Sequence, residues 1–102
     1  MRIITEKRLK SFADRHSHVK PGIERFVTAL RAARWKNMNA MRKEFPHADI
    51  VRVKSGRAVF VFNIGGNQCR IAAAPHFNKQ IIYILGAFTH AEYQAGKWKE
   101  QL

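Results

Sequence analysis

The sequence predicts an α+β fold in which a mainly antiparallel sheet of four to five strands carries N-terminal helices packed on one face. The strands are predicted by runs of β-branched and aromatic residues at 57–64, 68–74 and 80–88. A tight hairpin turn between the first two runs is indicated by Gly65, Gly66 and Asn67. The helices are predicted by apolar residues that recur at three- and four-residue spacing in the N-terminal half.

Alternation within the first of these strands predicts that the sheet is covered on both faces over part of its area. Phe60 and Phe62 lie on one side of the strand, whereas Val59 and Val61 lie on the other, and all four are apolar. One further strand is expected at 50–54. A short edge strand is expected at 2–4.

Three helices are expected ahead of the hairpin. The first follows Thr5, a favourable N-cap, and turns Leu9, Phe12 and Ala13 to one face. The third is capped by Asn37 and runs through Glu44, and its inward side chains are expected to be Met38 and Met41.

The second helix is the clearest amphipathic segment of the chain. It restarts the helical pattern at Pro21, because proline at the first helical position loses no hydrogen bond. Its apolar face consists of Ile23, Phe26, Val27, Leu30 and Ala33, and its outer face shows Arg25, Arg31 and Arg34.

A short C-terminal helix is predicted to begin after Thr89. Thr89 and Glu92 have the spacing of a capping box, and Phe88 and Tyr93 fit the accompanying hydrophobic staple. These structural roles account for Thr89, Glu92 and Tyr93, but they leave His90 unexplained. Residues 96–102 are expected to fray.

The charge of the chain favours a polyanionic partner. There are 19 Lys and Arg against 7 Asp and Glu, a net charge of +12. Residues 1–57 contain 15 of the basic and 5 of the acidic residues, so the N-terminal half carries most of the excess. A basic surface can serve solubility alone, but acidic surfaces do so at least as well. We therefore expect nucleic acid or an acidic protein as the partner.

A length of 102 residues suits one domain that spans residues 1–102. The single cysteine, Cys69, excludes an intrachain disulfide and is expected to be a buried apolar residue in a reducing compartment. We find no signal peptide and no apolar run near the ~20 residues of a membrane span. The protein is therefore expected to be cytoplasmic and to have no membrane partner.

Several kinds of site find no support in the sequence. The five histidines show no paired metal-ligand spacing, so neither a metal site nor a cofactor is predicted. Gly65 and Gly66 lack the surrounding pattern of a phosphate-binding loop. Nothing around Cys69 supports nucleophilic catalysis.

Three candidates for chemistry remain: His90 at the start of a helix, Tyr93 about one turn later, and Arg70 within a strand. Transesterification of RNA by its own 2′-hydroxyl needs a base, an acid and fixed positive charge for the phosphorane, and it needs no cofactor. A helix N-terminus gathers phosphate and disfavours imidazolium, which favours the neutral His90 that a base requires.

Two linked segments resemble a known family. Residues 61–71, VFNIGGNQCRI, followed by residues 87–93, AFTHAEY, resemble the HigB toxins, the host-inhibition branch of the RelE-like toxin superfamily. The opening residues 2–5 and the junction of Phe45 with Pro46 match as well, so the resemblance covers nearly the whole chain. The two-part motif is far more specific than either half.

The resemblance implies a compact RelE-like α+β fold and cleavage of mRNA in the ribosomal A site. It also implies neutralisation by a helix-turn-helix antitoxin of the HigA kind, encoded beside the toxin. Contact with DNA is then expected only indirectly, through that antitoxin.

Carried over residue by residue, the resemblance points to Asn63, Asn67, Arg70, Thr89, His90, Glu92 and Tyr93. Gln94 stands where many members have an acidic residue, so no acid–base role is predicted at that position. RelE-like sites vary in their use of Lys and Arg, and for that reason Lys54 and Arg57 are included as phosphate ligands.

The predicted site therefore has two sets of residues, with the identity of the general base left open. The predicted catalytic residues are His90, Arg70, Tyr93 and Glu92. The predicted RNA-binding residues are Lys54, Arg57, Asn63, Asn67, Arg31 and Arg34. Two alternatives to a ribosome-dependent mRNA endonuclease remain: a non-catalytic RNA-binding or interaction module on the same fold, and a co-repressor that acts only within an antitoxin–DNA complex.

Overall fold

The computed structural model, which describes residues 1–66 and 68–102, confirms the predicted α+β architecture. The strands are β1 (Arg2–Ile4), β2 (Asp49–Arg52), β3 (Ala58–Ile64), β4 (Cys69–His76) and β5 (Ile81–Thr89). They form one sheet in the order β1-β5-β4-β3-β2. All neighbouring strands are antiparallel except β1 and β5, which are parallel. Asn67, predicted to bind RNA, lies outside the described residues.

The helices are α1 (Lys7–Arg15), α2 (Lys20–Ala32), α3 (Met38–Glu44), α4 (His90–Ala95) and α5 (Trp98–Gln101), with a 3₁₀ turn at Ser17–Val19. The first three pack on one face of the sheet, which we call the helical face. The opposite face is called the second face. No helix in the described part of the chain is both long enough and apolar enough to cross a membrane.

The main core lies between the sheet and the helical layer. Four of the residues predicted to form the apolar faces of the first two helices are buried: Leu9 and Phe12 in α1, and Phe26 and Leu30 in α2. The ring centroid of Phe26 lies 5.2 Å from that of Phe62 on β3. Each fully buried large apolar side chain of this kind stabilises the fold by about 1.5–3 kcal/mol.

The predicted strands and the predicted Asn37 cap are found close to their expected places. Strands β2, β3, β4 and β5 each begin and end within two residues of the predicted limits. The Asn37 cap is confirmed, because its Oδ1 accepts the backbone N–H of Ala40 at 2.9 Å. Local patterns of turn and cap residues therefore placed these elements correctly.

Two expectations in the helical layer are wrong. Thr5 is not the cap of α1: its φ of 67° lies in the left-handed region and turns the chain away from β1, and Glu6 takes the cap position. Met38 does not turn inward, since it is 37% exposed whereas Met41 is fully buried. Met38 is the first residue of the short helix α3, and only Met41, one turn further, reaches the core.

The expectation that residues 96–102 fray is also wrong. Trp98 begins α5 and is buried on the second face, where it packs with Val59, Val61 and Ala72. The backbone N–H of Lys54 donates to the carbonyl of Lys99 at 2.9 Å, which ties the segment to the connection between β2 and β3. The predicted cover on both faces of the sheet is confirmed, and the C-terminal residues supply the second cover.

Candidate active site

A row of three residues crosses one end of the second face. Asn63 on β3 lies opposite Arg70 on β4, and Arg70 lies opposite Phe88 on β5. Directly opposed residues on antiparallel strands point to the same face with Cβ atoms about 4.5–5.5 Å apart. The sheet therefore brings the predicted residues Asn63 and Arg70 side by side.

Arg70 also contacts the helix that follows β5. Its Cζ lies 5.2 Å from the centroid of the Tyr93 ring, within the range of a cation–π contact. Both residues are half-buried. The contact holds the guanidinium at the end of the sheet where α4 begins.

The environment of Tyr93 favours the protonated form of its phenol. Burial raises the pKa of this phenol above its ordinary value, the negative charge of Asp49 raises it further, and the cation of Arg70 opposes both effects. Asp49 lies on β2 opposite Val61 and was not singled out in the sequence. Because a protonated phenol donates a proton, Tyr93 can act as an acid at neutral pH and not as a base.

Trp98 packs against the aromatic side chains of this row and was missed by the sequence prediction. Its ring stacks on Tyr93 with centroids 5.4 Å apart and on Phe88 with centroids 5.3 Å apart. The indole N–H also donates to the carbonyl of Tyr93 at 3.2 Å. A large aromatic residue in an otherwise polar tail was the signal that could have identified it.

The start of α4 confirms the predicted capping box. The N–H of Glu92 donates to Oγ1 of Thr89 at 3.1 Å, and the N–H of Thr89 donates to Oε1 of Glu92 at 2.9 Å. One carboxylate oxygen of Glu92 is therefore engaged in fixing the helix start. His90 is the first residue of α4 and is exposed, two residues after Phe88, which places it at the same end of the sheet as Arg70.

The structure does not bring Lys54 and Arg57 to this end of the sheet. Both lie in the connection that precedes β3, whereas Asn63 lies near the other end of that strand. The five residue steps from Ala58 to Asn63 correspond to about 17 Å of extended chain. Lys54 and Arg57 are exposed, but they are not neighbours of Arg70.

Arg31 and Arg34 belong to a different surface. Arg31 extends from α2 and its Nη2 lies 2.8 Å from each carboxylate oxygen of Glu6. Arg34 follows the same helix and is exposed. Because α2 packs on the helical face, the sheet lies between these two arginines and Arg70.

Cys69 takes no part in this site as a nucleophile. Its side chain is buried as predicted, and burial raises the pKa of the thiol to about 11, so the thiolate is scarce at neutral pH. Across residues 1–66 and 68–102, no group of three His, Cys, Asp or Glu side chains could hold a metal ion.

Together, the side chains at this end of the sheet have the chemical groups needed to cleave a phosphodiester. Arg70 supplies fixed positive charge, Tyr93 supplies a phenolic proton, and His90 supplies an imidazole. A cation stabilises charge that develops on a phosphoryl group, and the other two side chains can transfer protons.

Comparisons with known proteins point to one family. The family model described as "HigB_toxin, RelE-like toxic component of a toxin-antitoxin system" matches residues 19–96. The "mRNA interferase toxin HigB" of Escherichia coli strain K12 is 30% identical over 93 residues, which cover 91% of this chain and 88% of that protein. The "mRNA interferase HigB" proteins of Escherichia coli O157:H7 and Shigella flexneri match with the same identity and coverage. The family match includes Arg70, His90 and Tyr93 and ends before Trp98.

Proposed function

The chain belongs to the HigB family of RelE-like toxins of toxin–antitoxin systems, and we propose that it is an endoribonuclease that cleaves mRNA in the ribosomal A site. Its partners are RNA and a cognate antitoxin. The single observation that carries the proposal is the guanidinium of Arg70 held against Tyr93, beside the start of α4 at His90. We further propose that residues 1–102 act as one domain in the cytoplasm, and that a helix-turn-helix antitoxin neutralises them and supplies any contact with DNA.

In the proposed reaction, His90 removes the proton from a 2′-hydroxyl and the freed oxygen attacks the adjacent phosphorus. The bond from phosphorus to the 5′-oxygen breaks, and Tyr93 gives its proton to that oxygen. A 2′,3′-cyclic phosphate and a 5′-hydroxyl result. Arg70 neutralises the phosphorane, while Glu92 fixes the start of α4 and so the position of His90.

We assign each remaining predicted RNA-binding residue to a part of the RNA according to its position in the fold. Asn63, next to Arg70, binds the RNA beside the bond that is cleaved. Lys54 and Arg57 bind phosphates farther along, at the opposite end of β3. Arg31 and Arg34 bind ribosomal RNA from the helical layer, and Arg31 exchanges its ion pair with Glu6 for a phosphate when it does so.

The protonation of Tyr93 leads to a pH prediction. The ordinary pKa of a tyrosine phenol is about 10. Because the fold raises the pKa of the Tyr93 phenol, this group stays protonated up to a pH above that value. The single-turnover rate of the parent protein should therefore not decline between about pH 7 and about pH 9. Tyr93→Phe should lower that rate by about 100-fold. A decline within this range that Tyr93→Phe abolishes would show that the phenol ionises too early for this role.

Dependence on the ribosome is tested by measuring cleavage of one mRNA in two states at equal protein concentration. The mRNA is either free or bound in ribosomes with an empty A site. We expect fast cleavage only on the ribosome, because orientation of the substrate can supply on the order of 7–11 kcal/mol that a sparse site lacks. Comparable rates would instead indicate a free endoribonuclease. Cleavage in neither state would favour a non-catalytic RNA-binding module.

A further inference from the structure

Tyr83 exposes an aromatic ring on the second face, at the end of the sheet away from Arg70. Its neighbours on β5, Ile82 and Ile84, are buried in the main core on the helical face, so the side chain between them points the other way. Tyr83 is 38% exposed, and it precedes Phe88 by five residue steps, about 17 Å of extended strand. The candidate active site therefore does not account for this ring.

A second exposed ring packs against Tyr83. The ring centroid of His76, at the end of β4, lies 5.1 Å from the centroid of the Tyr83 ring, and the two planes meet at 78°. Such an edge-to-face contact is a favoured arrangement of aromatic pairs, and it restricts the rotation of the Tyr83 ring. We call the pair Tyr83 and His76 the aromatic shelf. The shelf presents its rings in a fixed relative orientation.

Partly buried apolar side chains flank the aromatic shelf. Ile4 on β1 and Ala74 on β4 lie opposite Tyr83, one on each side. Ile81 lies opposite His76. None of these three side chains carries a polar group. A flat ligand that covers the shelf therefore removes apolar surface from water and leaves no polar side chain of this floor unpaired.

Basic side chains surround the aromatic shelf. Arg2 lies opposite Ile81 on β1, and Lys79 lies in the turn between β4 and β5. Arg57 precedes β3 and lies at the same end of the sheet as His76, because β3 and β4 are antiparallel. The three cations are exposed, and none of them forms an ion pair with another described residue. Their charge is complementary to an anion that carries flat rings.

The surface between the aromatic shelf and Arg70 is also basic. The C-terminal segment covers the middle of the second face by burying Trp98, while its neighbours Lys97 and Lys99 are exposed. The residues 96–102 contain one acidic residue, Glu100. The carbonyl of Lys99 accepts the backbone N–H of Lys54, so this segment reaches the same end of the sheet as the shelf. A polyanionic strand can therefore follow cations from one site to the other.

We propose that the aromatic shelf binds an unpaired base of the mRNA, a few nucleotides from the bond that is cleaved. The base stacks on Tyr83, and Arg2 binds a neighbouring phosphate. The proposal deepens the proposed function and rests on it, since it takes mRNA as the ligand. Proteins bind single-stranded nucleic acid in this way, with aromatic rings on which bases stack and basic side chains that follow the backbone.

The position of the aromatic shelf favours the message over ribosomal RNA and over an acidic peptide. The shelf shares the second face with Arg70, so one RNA strand can contact both sites. Ribosomal RNA is assigned above to arginines of the helical layer, on the other side of the sheet. An acidic peptide would match the charge, but two exposed aromatic rings offer it no specific contact.

Tyr83→Ala tests the stack in single-turnover cleavage of mRNA bound in ribosomes with an empty A site. The toxin concentration that gives half of the maximal rate should rise by about 10-fold, as expected for the loss of one base–aromatic stack. The maximal rate should change by less than about 2-fold, because the ring lies far from the reacting atoms. Tyr83→Phe keeps the ring and should behave like the parent. Tyr83→Leu keeps the bulk without the ring and should behave like Tyr83→Ala.

Ile50→Ala is the matched control for loss of an exposed apolar side chain. Ile50 is 43% exposed on β2. It lies opposite Phe60, which packs against the main core, so its side chain belongs to the helical side of the sheet. Neither the half-maximal concentration nor the maximal rate should change in this variant. An increase equal to that of Tyr83→Ala would contradict a specific stack.

The stacked base is identified with abasic nucleotides, placed one at a time in the mRNA outside the A-site codon. At one position, loss of the base should raise the half-maximal concentration of the parent by about 10-fold. The same substrate should affect Tyr83→Ala by less than about 2-fold, because that variant has already lost the stack. If Tyr83→Ala weakens binding but no abasic position does, the ring contacts the ribosome and the proposal fails.

Salt dependence tests the phosphate contact of Arg2. Arg2→Gln should lower the slope of log affinity against log salt concentration by about 0.7, the value for one phosphate of a single strand. Tyr83→Ala should leave the slope unchanged, because a stacked base releases no counterion. Equal slopes for Arg2→Gln and the parent would remove Arg2 from the proposed site.

Two further outcomes separate this proposal from the function it rests on. If Tyr83→Ala weakens the complex with the antitoxin and leaves cleavage unchanged, the aromatic shelf is a protein-binding surface and the proposal fails. If the parent protein cleaves no mRNA, on or off the ribosome, the proposed function itself fails. Cleavage by the parent that Tyr83→Ala does not alter rejects the shelf alone.

Discussion

Replacing Arg70 with alanine should abolish the growth arrest that the parent protein causes, and replacing His90 with alanine should do the same. Arg70 supplies the fixed charge at the proposed phosphorane, and removal of one such electrostatic group costs about 10²–10³ in rate. Loss of a general base costs about 10²–10⁴. Single-turnover cleavage of ribosome-bound mRNA measures both effects directly. Growth arrest on induction reports them in cells.

The variants need controls for folding and for charge. Arg42→Ala removes an exposed arginine from α3, on the helical side of the sheet, and should leave cleavage unchanged. Arg70→Lys keeps the charge but loses the planar group that lies over Tyr93, so it should recover only part of the rate. Parent-like toxicity of both Arg70→Ala and His90→Ala, at equal expression and with parent-like thermal unfolding, would reject the assigned site.

The fold could be predicted largely because its signals are local. Gly65 and Gly66 mark the turn between β3 and β4, and the short connection sets a register that places Asn63 opposite Arg70. Thr89 and Glu92 are three residues apart and form the capping box that begins α4 at His90. Each of these features depends on residues that are close in the chain.

The parts that sequence did not predict depend on contacts between distant residues. Arg31 pairs with Glu6, 25 positions earlier, which no periodicity indicates. Trp98 becomes buried only because the tail folds back across the second face to meet the start of β3. The wrong prediction at Thr5 has a local cause instead: its backbone is left-handed, whereas threonine is by residue type an ordinary helix cap.

Replacing Trp98 with alanine should lower both the stability of the fold and the rate of cleavage. Deleting a buried tryptophan side chain costs about 3–5 kcal/mol of the free energy of unfolding. The same change removes the ring that stacks on Tyr93 and Phe88 and the N–H that donates to the carbonyl of Tyr93. A shift of about 1 Å in a reacting group can cost about 100-fold in rate. Denaturant unfolding and single-turnover cleavage at low temperature measure the two effects separately.

A matched pair of substitutions distinguishes positioning of Tyr93 from loss of stability alone. Trp35 is buried to the same 4% exposure as Trp98, but it lies on the helical face and donates its indole N–H to Glu44. Trp35→Ala should destabilise the fold as much as Trp98→Ala and yet leave the cleavage rate per folded molecule unchanged. Trp98→Phe keeps the stacked ring, loses one hydrogen bond worth about 1 kcal/mol, and should recover most of the rate. If Trp35→Ala and Trp98→Ala slow cleavage equally at saturating ribosome concentration, then Trp98 supports the fold in general and does not position the acid of the reaction.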